Sequence, residues 1–297
     1  MTPAANPQIM DQVVDLAGAT IQHGPCNRRV YLMKLGQARP QHVLPPLLDL
    51  CRRQKYGKVF AKVARRHEEE FSRLGFETEA RVPGFFQNRE EAVFLGLYLD
   101  PERRKPKQAQ EMRNIRRLAR SKTARLVTPL PPGLTVRRCL AADIPAMAAI
   151  YSRVFASYPF PISDQRFLAE TMASHVVYFG VWKKDLLVAL ASAETDRAEQ
   201  NAEMTDFATL PEYRGGGYAQ MLLERMEKEM RREGIATAYT IARALSPGMN
   251  ITFARQGYQF AGCLVNNTNI CGDIESMNVW YRQLRPATAN TGAGKPA

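Results

Sequence analysis

Apolar residues in the second half of the chain follow two periods, one typical of strands and one typical of helices. Residues 176–182 (VVYFGVW), 186–194 (LLVALASAE) and 237–244 (TAYTIARA) are continuously apolar or alternating, which is typical of β-strands. Between residues 219 and 230 the apolar positions instead recur every three or four residues, as on one face of an amphipathic helix. These patterns predict a mixed α/β (α+β) domain.

Further segments complete this predicted domain between residues 134 and 284. A helix is expected over 246–256, where Ser246 is a plausible N-cap and Pro247 occupies the first helical position. Two more helices, on either side of the proline-rich loop SYPFPIS, are expected over 142–155 and 164–173. The remaining strands are expected over residues 134–140, 203–210, 258–267 and 276–284.

The first hundred residues contain a weaker copy of the same order of elements. FSRLGF (71–76) matches FARQGY (253–258) as F-x-R-x-G-aromatic, at an offset of 182 residues. Upstream, residues 30–64 have the pattern strand, helix, strand, and residues 92–99 parallel the closing strand of the second half. We therefore expect residues 1–101 to form a smaller α/β domain that repeats half of the C-terminal one, as a structural partner rather than a second active site.

Positive charge is concentrated between these two halves. The net charge of the chain is +12, and residues 102–125 alone carry +8 without a single aromatic residue. A nucleic-acid-binding domain spreads basic residues over a folded face and adds aromatic stacking partners, so we do not expect nucleic acid as a partner. Residues 102–133, which end in the proline-rich PLPPGL, are expected to form a solvated basic helix and linker, with a docking surface as the alternative. The tail, residues 285–297, is expected to be disordered.

The cysteines, the histidines and the lengths of the apolar runs indicate where the protein is located and whether it binds a metal. The five cysteines form no CxxC pair and the four histidines have no metal-ligand spacing, so we expect reduced thiols, a cytoplasmic location and no metal. No apolar run approaches the roughly 18 residues of a membrane span, and the first residues lack the pattern of a secretory signal. We therefore expect no membrane association.

Three glycines stand directly before the amphipathic helix, in LPEYRGGGYAQMLLERM (210–226). Glycine disfavours a helix by about 1 kcal/mol relative to alanine, so another requirement must select it here. The first N–H groups of a helix lack internal partners and carry partial positive charge, and a glycine turn lets phosphate oxygens approach them. Neither GxxxxGK[ST] nor GxGxxG occurs, but the loop fits R-x-x-G-x-A from Arg214 to Ala219.

On this loop and its strand–loop–helix setting, the sequence resembles the GCN5-related N-acetyltransferase (GNAT) superfamily, whose pyrophosphate loop is (Q/R)-x-x-G-x-(G/A). More specifically, residues 201–215 (NAEMTDFATLPEYRG), 239–258 and 264–272, with the N-terminal phrases IQHGPCNRRVYLMKL and GFETEARVPGFF, are similar to the β-lysine N-acetyltransferase family. The resemblance implies the GNAT fold, with a mixed, mostly antiparallel central sheet flanked by helices, preceded here by the degenerate half-GNAT-like domain.

The same resemblance implies acetyl-CoA as co-substrate and transfer of its acetyl group to the side-chain amine of β-lysine. The product would be N6-acetyl-β-lysine, a compatible solute, and lysine 2,3-aminomutase would supply the β-lysine. A homodimer remains open. The alternatives are an acetyltransferase for another polyamine, amino acid or protein lysine, and a non-catalytic acyl-CoA-binding regulator.

The resemblance places the coenzyme on the glycine loop, on the end of the preceding strand and on the later helix. Ser246 stands where an asparagine commonly contacts CoA. Phe253 stands where a tyrosine commonly protonates the departing thiolate, which leaves solvent, Tyr258 or Tyr239 as the proton donor. The residues expected to bind the coenzyme are Thr209, Leu210, Arg214, Gly215, Gly216, Gly217, Tyr218, Ala219, Ser246, Asn250 and Phe253.

Acetyl transfer to an amine requires a proton acceptor, because an alkylammonium has a pKa near ~10.4. Glu203 lies eleven residues before Arg214, the interval at which glutamate-dependent members of the superfamily carry the general base. We expect Glu203 to be the base, with Asp206 as its rival and an ion pair with a neighbouring strand as the structural alternative for Glu203. Strict alternation along the strand would place the two carboxylates on opposite faces, so that only one would line the cleft.

A substrate with two ammonium groups and one carboxylate needs acidic and amide groups around it. The asparagine run NNTN, near the start of the last hairpin, supplies amides but is equally compatible with a polar turn. The residues expected to bind the substrate are Tyr158, Asp206, Asn266, Asn267 and Asn269.

Overall fold

The computed structural model describes residues 10–122, 131–156, 158–270 and 272–286. The expected disordered tail lies outside the described residues from position 287 onward, as do residues 129 and 130 of the proline-rich stretch. The strands are β1 (Gln12–Leu16), β2 (Ala19–Gly24), β3 (Arg29–Lys34), β4 (Lys58–Ala64), β5 (Glu77–Phe86), β6 (Glu90–Tyr98), β7 (Leu134–Arg138), β8 (Val176–Lys183), β9 (Leu186–Asp196), β10 (Asn201–Thr209), β11 (Thr237–Arg243), β12 (Gln259–Ile270) and β13 (Asp273–Gln283). The α-helices are α1 (Pro40–Arg53), α2 (Glu68–Ser72), α3 (Ala109–Arg120), α4 (Ile144–Val154), α5 (Gln165–Ser174), α6 (Tyr218–Arg232) and α7 (Pro247–Arg255).

A single mixed sheet runs through the described chain, in the order β1-β2-β3-β4-β6-β5-β12-β13-β11-β10-β9-β8-β7. Most neighbouring strands are antiparallel, and the pairs β3–β4 and β10–β11 are parallel. Helices such as α4 and α6 pack on the strands of the C-terminal half. This architecture confirms the expected mostly antiparallel mixed sheet flanked by helices.

The strand order shows the internal repeat that the short sequence match suggested. From the centre of the sheet outward, β5-β6-β4-β3 in the first half corresponds to β12-β13-β11-β10 in the second, and each half contains one parallel pair. The matched segments also have the same local conformation. Phe71 and Phe253 are both buried at the end of a helix, and Gly75 and Gly257 both have φ above 80°. The first half therefore repeats the topology of the second.

The two halves join through β5 and β12, at a point where the backbones approach very closely. Gly262 of β12 pairs with Ala80 of β5, and a Cβ on Gly262 would lie 2.0 Å from the carbonyl oxygen of Glu79. Beyond this point β12 crosses the first half, where the buried Lys58 ammonium donates to the Val265 carbonyl at 2.8 Å and pairs with Glu79 at 2.8 Å. Only glycine fits such an approach, so Gly262 fixes the joint between the halves.

The basic segment is more firmly packed than a solvated linker, and this corrects the expectation. Its helix α3 packs against α7, with Ile115 and Ala119 buried and Ala119 part of the main core of the second half. Ahead of it, the buried Arg103 guanidinium donates to the carbonyls of Asn27, Arg28 and Asn266. The charges of α3 remain on its outer face, because an amphipathic helix with this composition buries only its apolar stripe.

None of the helices in the described ranges has the length and apolar character that crossing a membrane would require.

Candidate active site

A cavity of about 1000 Å³ lies between the two halves of the sheet. The second half contributes carboxylates and hydroxyls to its wall, among them Glu194, Glu203 and Tyr239. The first half contributes cationic and aromatic side chains, among them Arg29 and Lys62. The N-terminal half thus forms part of the wall of the candidate active site.

Strands β10 and β11 separate beside this cavity and leave a gap in the sheet. The two strands pair only from Asn201 to Glu203, after which a bulge between residues 205 and 208 turns β10 away. A smaller cavity of about 110 Å³ lies beside the gap and shares Tyr158, Thr205 and Asp206 with the large one. A parallel pair that separates in this way leaves room for an extended ligand between the strands.

The bulge corrects the expectation that Glu203 and Asp206 face opposite sides of the sheet. Asp206 has φ 54°, and an inserted residue in a bulge shifts the alternation of the strand by one position. Both carboxylates consequently line the same cavity. The sequence alternation alone does not reveal this, because it assumes a regular strand.

The glycine loop forms an open, backbone-lined turn at the start of α6. Gly215 and Gly217 have φ 85° and 77°, and a Cβ added to either would meet nothing within 4 Å. Among the described backbone hydrogen bonds outside regular elements, none has an N–H of residues 215–217 as donor. These amides and the first amides of α6 are therefore available to an anion, with Arg214 beside them.

Glu203 and Glu194 face each other across the antiparallel pair β9–β10, where they are direct register partners. Burial raises the pKa of Glu203 to about 7, against the lowering effect of the nearby Lys62 charge and of a hydrogen bond with Tyr239. Burial, together with the charges of Glu203 and Asp206, raises the pKa of Glu194 well above its ordinary value. A carboxyl group with a pKa near neutrality is suited to accept a proton at physiological pH.

Asp206 is held by hydroxyl groups. The Tyr158 hydroxyl donates to one of its carboxylate oxygens and the Ser192 hydroxyl donates to the other. Burial raises the pKa of Asp206, and these hydrogen bonds act in the opposite direction. Asp206 is therefore positioned by neighbours from α4–α5 and β9, which makes it a fixed negative group on the cavity wall.

Lys62 links the first half to the carboxylates of the second. Its ammonium donates to the Tyr239 hydroxyl at 3.2 Å, and Tyr239 is the register partner of Glu203 in the parallel pair β10–β11. Burial alone would lower the pKa of Lys62, but the charges of Tyr31 and Glu203 raise it. The ammonium also lies over the rings of Phe85 and Tyr239, at 5.3 and 5.4 Å from their centroids. The result is a Lys62–Tyr239–Glu203 relay along the cavity wall.

Three of the expected site asparagines have structural contacts instead. Asn250 is fully buried: its amide donates to the carbonyls of residues 243 and 246, and its oxygen accepts from Asn278 and Trp280. Asn266 donates to the carbonyls of residues 103 and 105, and Asn269 donates to that of Cys26. Because their polar atoms are engaged away from the cavities, these three do not line either one. Asn267 does line the large cavity.

Other expected residues lie around the smaller cavity or before the glycine loop. Ser246 and Phe253 line the smaller cavity; Ser246 is at the N-cap of α7 without a side-chain cap bond, and Phe253 packs edge-on against Phe207. Thr209 and Leu210 end β10 and lead into the loop, and Tyr218 and Ala219 begin α6. Of the two tyrosines considered as proton donors, Tyr239 lines the large cavity and Tyr258 lines neither cavity.

Sequence reasoning missed the cavity residues that bear charge on otherwise apolar strands. Glu194 lies in LLVALASAETD, Lys62 in KVFAKVA, and Arg29 at the start of RVYLMK. A charged residue within a largely buried strand is a usable signal, because such a charge needs a partner or a function. Among the described residues, no three His, Cys, Asp or Glu side chains are grouped so that they could hold a metal ion.

Comparisons with known proteins agree with this geometry. The acetyltransferase (GNAT) family profile matches residues 144–258. A β-lysine N(6)-acetyltransferase from Methanococcus maripaludis is 35% identical over 273 residues, which cover 92% of this chain and 99% of that protein. Another, from Methanosarcina mazei, is 44% identical over 155 residues, covering 52% of this chain and 57% of that protein. The solved structure of yncA from Salmonella typhimurium with its cofactor acetyl-CoA is 15% identical, with a TM-score of 0.46, and covers 53% of this chain and 97% of its own.

The identity to the Methanococcus maripaludis protein extends along nearly the whole chain and establishes the family to which this chain belongs. The glycine loop, whose free amides fit a diphosphate, and the gap between β10 and β11 are consistent with the acetyl-CoA that GNAT acetyltransferases use. The chain therefore belongs to the β-lysine N-acetyltransferase family of the GNAT superfamily and is an acetyl-CoA-dependent N-acetyltransferase.

Proposed function

We propose that this enzyme transfers the acetyl group of acetyl-CoA to the side-chain amine of β-lysine, giving N6-acetyl-β-lysine. The observation that carries the proposal is the buried Glu203, with a pKa of about 7, on the wall of a cavity that also contains Glu194 and Asp206. Such a cavity is suited to bind a cationic amine and to deprotonate it. The names of the relatives supply the identity of that amine.

The glycine loop and the gap between the strands would hold the coenzyme. Backbone amides of residues 215–219, with Arg214, would bind the diphosphate, and the pantetheine arm would extend past Ser246 and Phe253 into the gap. The thioester would then lie where the smaller cavity meets the larger one, beside Tyr158 and Asp206. This path brings the acetyl group to the carboxylate-lined wall.

Glu203 acts as the general base. The ammonium of the substrate gives one proton to the Glu203 carboxylate, and its nitrogen then bonds to the thioester carbonyl carbon. The carbon–sulfur bond breaks, the nitrogen loses its second proton, and the thiolate takes up one proton to leave as CoA thiol. One proton is released overall.

The proton donor for the thiolate differs from the tyrosine usual in the superfamily, because Phe253 has no hydroxyl. Tyr239 is the better placed of the two tyrosine candidates, since its hydroxyl lies in the relay between Lys62 and Glu203. We propose that protons pass along this relay, with solvent as the alternative donor.

The chemistry of the product suggests its biological role. Acetylation removes the positive charge of the side-chain amine and leaves a net-neutral zwitterion, as expected of a compatible solute in the cytoplasm. An aminomutase that converts lysine to β-lysine must supply the substrate.

Thiol release from acetyl-CoA tests the proposal directly. The purified protein would be assayed with β-lysine, α-lysine, ornithine, spermidine and a histone-tail peptide, and we expect the highest kcat/KM with β-lysine. Equal or better turnover of the peptide or of spermidine would contradict the β-lysine assignment. No turnover with any amine, combined with tight acetyl-CoA binding, would instead indicate an acyl-CoA-binding regulator.

A Glu203→Gln variant tests the role of the base. We expect kcat to fall about 10²–10⁴-fold while acetyl-CoA binding, measured by calorimetry, is unchanged. Glu170→Gln is the matched control, because Glu170 is an exposed glutamate on α5 that pairs only with the exposed Arg166. A Glu203→Gln enzyme with the wild-type rate between pH 6 and 9 would show that another group is the base.

A further inference from the structure

Arg29 is a buried guanidinium in the cavity wall without a carboxylate partner. Its side chain donates to the carbonyl oxygen of Asn267 and to the Thr268 hydroxyl, and both are neutral groups. None of the ion pairs in the described part of the chain includes Arg29. By contrast, the buried Lys58 ammonium pairs with Glu79, and the half-buried Lys62 of the cavity wall lies close to the charge of Glu203. A buried arginine with only neutral partners retains capacity for an anion.

Three unsatisfied polar atoms converge on this part of the wall. The Nε of Arg29, the Nε2 of Gln22 and the Oδ1 of Asn267 have no hydrogen-bond partner among the described residues. The three side chains are only 5%, 3% and 1% exposed, and all three line the large cavity. Gln22 pairs with Tyr31 across β2–β3, and Arg29 lies two residues from Tyr31 on the same face. Buried polar groups without partners carry a cost unless a ligand satisfies them.

The backbone positions of Arg29 and Lys62 are separated by a length comparable with that of a bound amino acid with a terminal amine. Arg29 is opposite Lys58 in the parallel pair β3–β4, so the Cα of Lys62 lies four residues, about 13 Å, farther along the sheet. Extended β-lysine measures about 7–8 Å from its carboxyl carbon to N6. A hydrogen bond of about 3 Å at each end extends this span to about 13 Å.

We propose that Arg29, Gln22 and Asn267 form a subsite that binds the carboxylate of the acceptor amino acid. The inference rests on the proposed acetylation of an amine at Glu203 and deepens it, because it identifies the acceptor class as ω-amino acids rather than polyamines. The Arg29 and Gln22 side chains donate to the carboxylate, and the Asn267 oxygen accepts from the neighbouring β-ammonium. The first half of the chain thus contributes Arg29 and Gln22 to substrate selection, and the second half contributes Asn267 together with the proposed base.

Charge complementarity supports this arrangement. Six carboxylates and five Lys or Arg cations line the cavity, which leaves one net negative charge when all are ionised and the histidines are neutral. The carboxylates are Glu90, Glu194, Asp196, Glu199, Glu203 and Asp206, and the cations are Arg29, Lys34, Lys62, Arg66 and Arg89. β-Lysine, with two ammonium groups and one carboxylate, carries one net positive charge. Spermidine, with three cationic amines and no carboxylate, would leave Arg29 without an anion and add a positive charge close to it.

Three acceptor compounds test separately how the proposed site binds the carboxylate and the 3-amine of the substrate. The first is β-lysine, which is 3,6-diaminohexanoate; the second, 6-aminohexanoate, lacks the 3-amine; the third, 1,4-diaminopentane, lacks the carboxylate. For the wild-type enzyme we expect kcat/KM for β-lysine to exceed that for 1,4-diaminopentane by about 100-fold or more, because a site built around a substrate charge rejects the analogue that lacks it. For 6-aminohexanoate, which lacks the 3-amine, we expect a kcat/KM between the values for β-lysine and 1,4-diaminopentane.

Arg29→Met tests the carboxylate contact while keeping an unbranched apolar side chain in place of the methylene part of arginine. We expect kcat/KM for β-lysine and for 6-aminohexanoate to fall about 100-fold, mainly through KM, and that for 1,4-diaminopentane to change less than about threefold. Arg52→Met, at an exposed arginine near the end of α1, is the matched control. Gln22→Met, which removes one donor without removing a charge, should raise KM for β-lysine about tenfold and provides the test if Arg29→Met does not fold.

The outcomes are distinguishable from a failure of the proposed function. A wild-type enzyme that acetylates 1,4-diaminopentane as well as β-lysine, or variants that lose activity equally with all three acceptors, would overturn the subsite. If the wild type rejects β-lysine but acetylates another amine, the proposed function fails. In that case α-lysine and 1,5-diaminopentane, which differ only in the carboxylate, test the subsite. A preference of the wild type for α-lysine that is lost in Arg29→Met would support the subsite, and no such preference would overturn it.

Discussion

Glu203, the proposed general base, also affects the stability of the fold. Burial raises its pKa from an ordinary value of 4.5 to about 7, so the folded protein binds more protons than the unfolded chain between these two pH values. The group therefore favours folding most below about pH 4.5, and this contribution is lost as the pH rises through 7. The same pKa provides a base that is substantially ionised at neutral pH.

The first prediction follows from that titration. We expect kcat/KM for the wild-type enzyme to rise with pH through an acidic limb near pH 7, and Glu203→Gln to lack this limb. Because the amide does not titrate, the Tm of Glu203→Gln relative to wild type should be higher at pH 8 than at pH 5, by at least about 2 °C. Thermal unfolding at the two pH values measures this; a difference that is constant with pH would place the titration elsewhere.

Tyr239 offers a second prediction. Its hydrogen bond to Glu203 lowers the pKa of that carboxyl group, so Tyr239→Phe should move the acidic limb of the kcat/KM profile to higher pH. A lower rate with an unshifted limb would indicate that the hydroxyl is not bound to the base. Tyr281→Phe is a suitable control, because the Tyr281 hydroxyl is paired with Gln259 on an exposed part of the sheet.

At the scale of elements, the glycine loop and β10 together form the proposed coenzyme side of the site. The loop provides bare amides, and the β10 bulge opens the gap next to it. Neither feature requires a particular side chain to contact the coenzyme. The glycine loop was predictable from sequence because phosphate binding selects glycine at successive positions, whereas the bulge at Thr205–Ala208 has no comparable signature.

Gly217→Ala tests the loop. Its φ of 77° makes any side chain strained, so we expect a modest loss of stability together with a rise of about 10- to 100-fold in KM for acetyl-CoA. Gly133→Ala is the matched control, because Gly133 also has a positive φ of 78° with nothing within 4 Å but lies outside the loop. Equal KM values for both variants would show that the loop does not contact the coenzyme.

Helix α3 provides the second prediction at this scale. Ile115 is buried between α3 and the second half, so Ile115→Ala should lower the free energy of unfolding by about 2–4 kcal/mol. Leu118, which is 42% exposed on the same helix, is the control, and its replacement by alanine should change stability by less than about 1 kcal/mol. Equal effects, measured by denaturant unfolding, would indicate that α3 does not dock as described.

At the scale of the whole molecule, β5 and β12 join the halves at a point where their backbones are in close contact. A Cβ on Gly262 would collide with the Glu79 carbonyl and with the Ala80 Cα, which lies 2.6 Å away. We expect Gly262→Ala to destabilise the protein by more than about 3 kcal/mol and to disrupt the site lined by both halves. Gly272→Ala, at a turn with nothing within 4 Å, is the control for a glycine replacement in the same hairpin. A Gly262→Ala enzyme with wild-type stability would contradict the described joint.

The sequence predicted the elements of the second half well, because strands such as 176–182 are buried on both faces and α6 has a single apolar stripe. It also predicted the repeat, from a six-residue match around Gly75 and Gly257. The β1–β2 hairpin was missed, because β1 is largely exposed and carries little pattern. Asn266 was placed in the site because a substrate with two ammonium groups needs amides around it, and Asn250 because of the family resemblance, although the amides of both satisfy buried carbonyl groups of the fold.

The repeat has a consequence for how specificity can change in this family. The proposed coenzyme loop and the proposed base belong to the second copy, whereas Gln22 and Arg29 of the proposed carboxylate subsite belong to the first, which has no phosphate loop. A new acceptor could therefore be accommodated by substitutions in two short strands, β2 and β3, that lie outside the proposed coenzyme loop. The acceptor-binding residues of the first copy could therefore change while the residues proposed for acetyl transfer in the second copy stay the same.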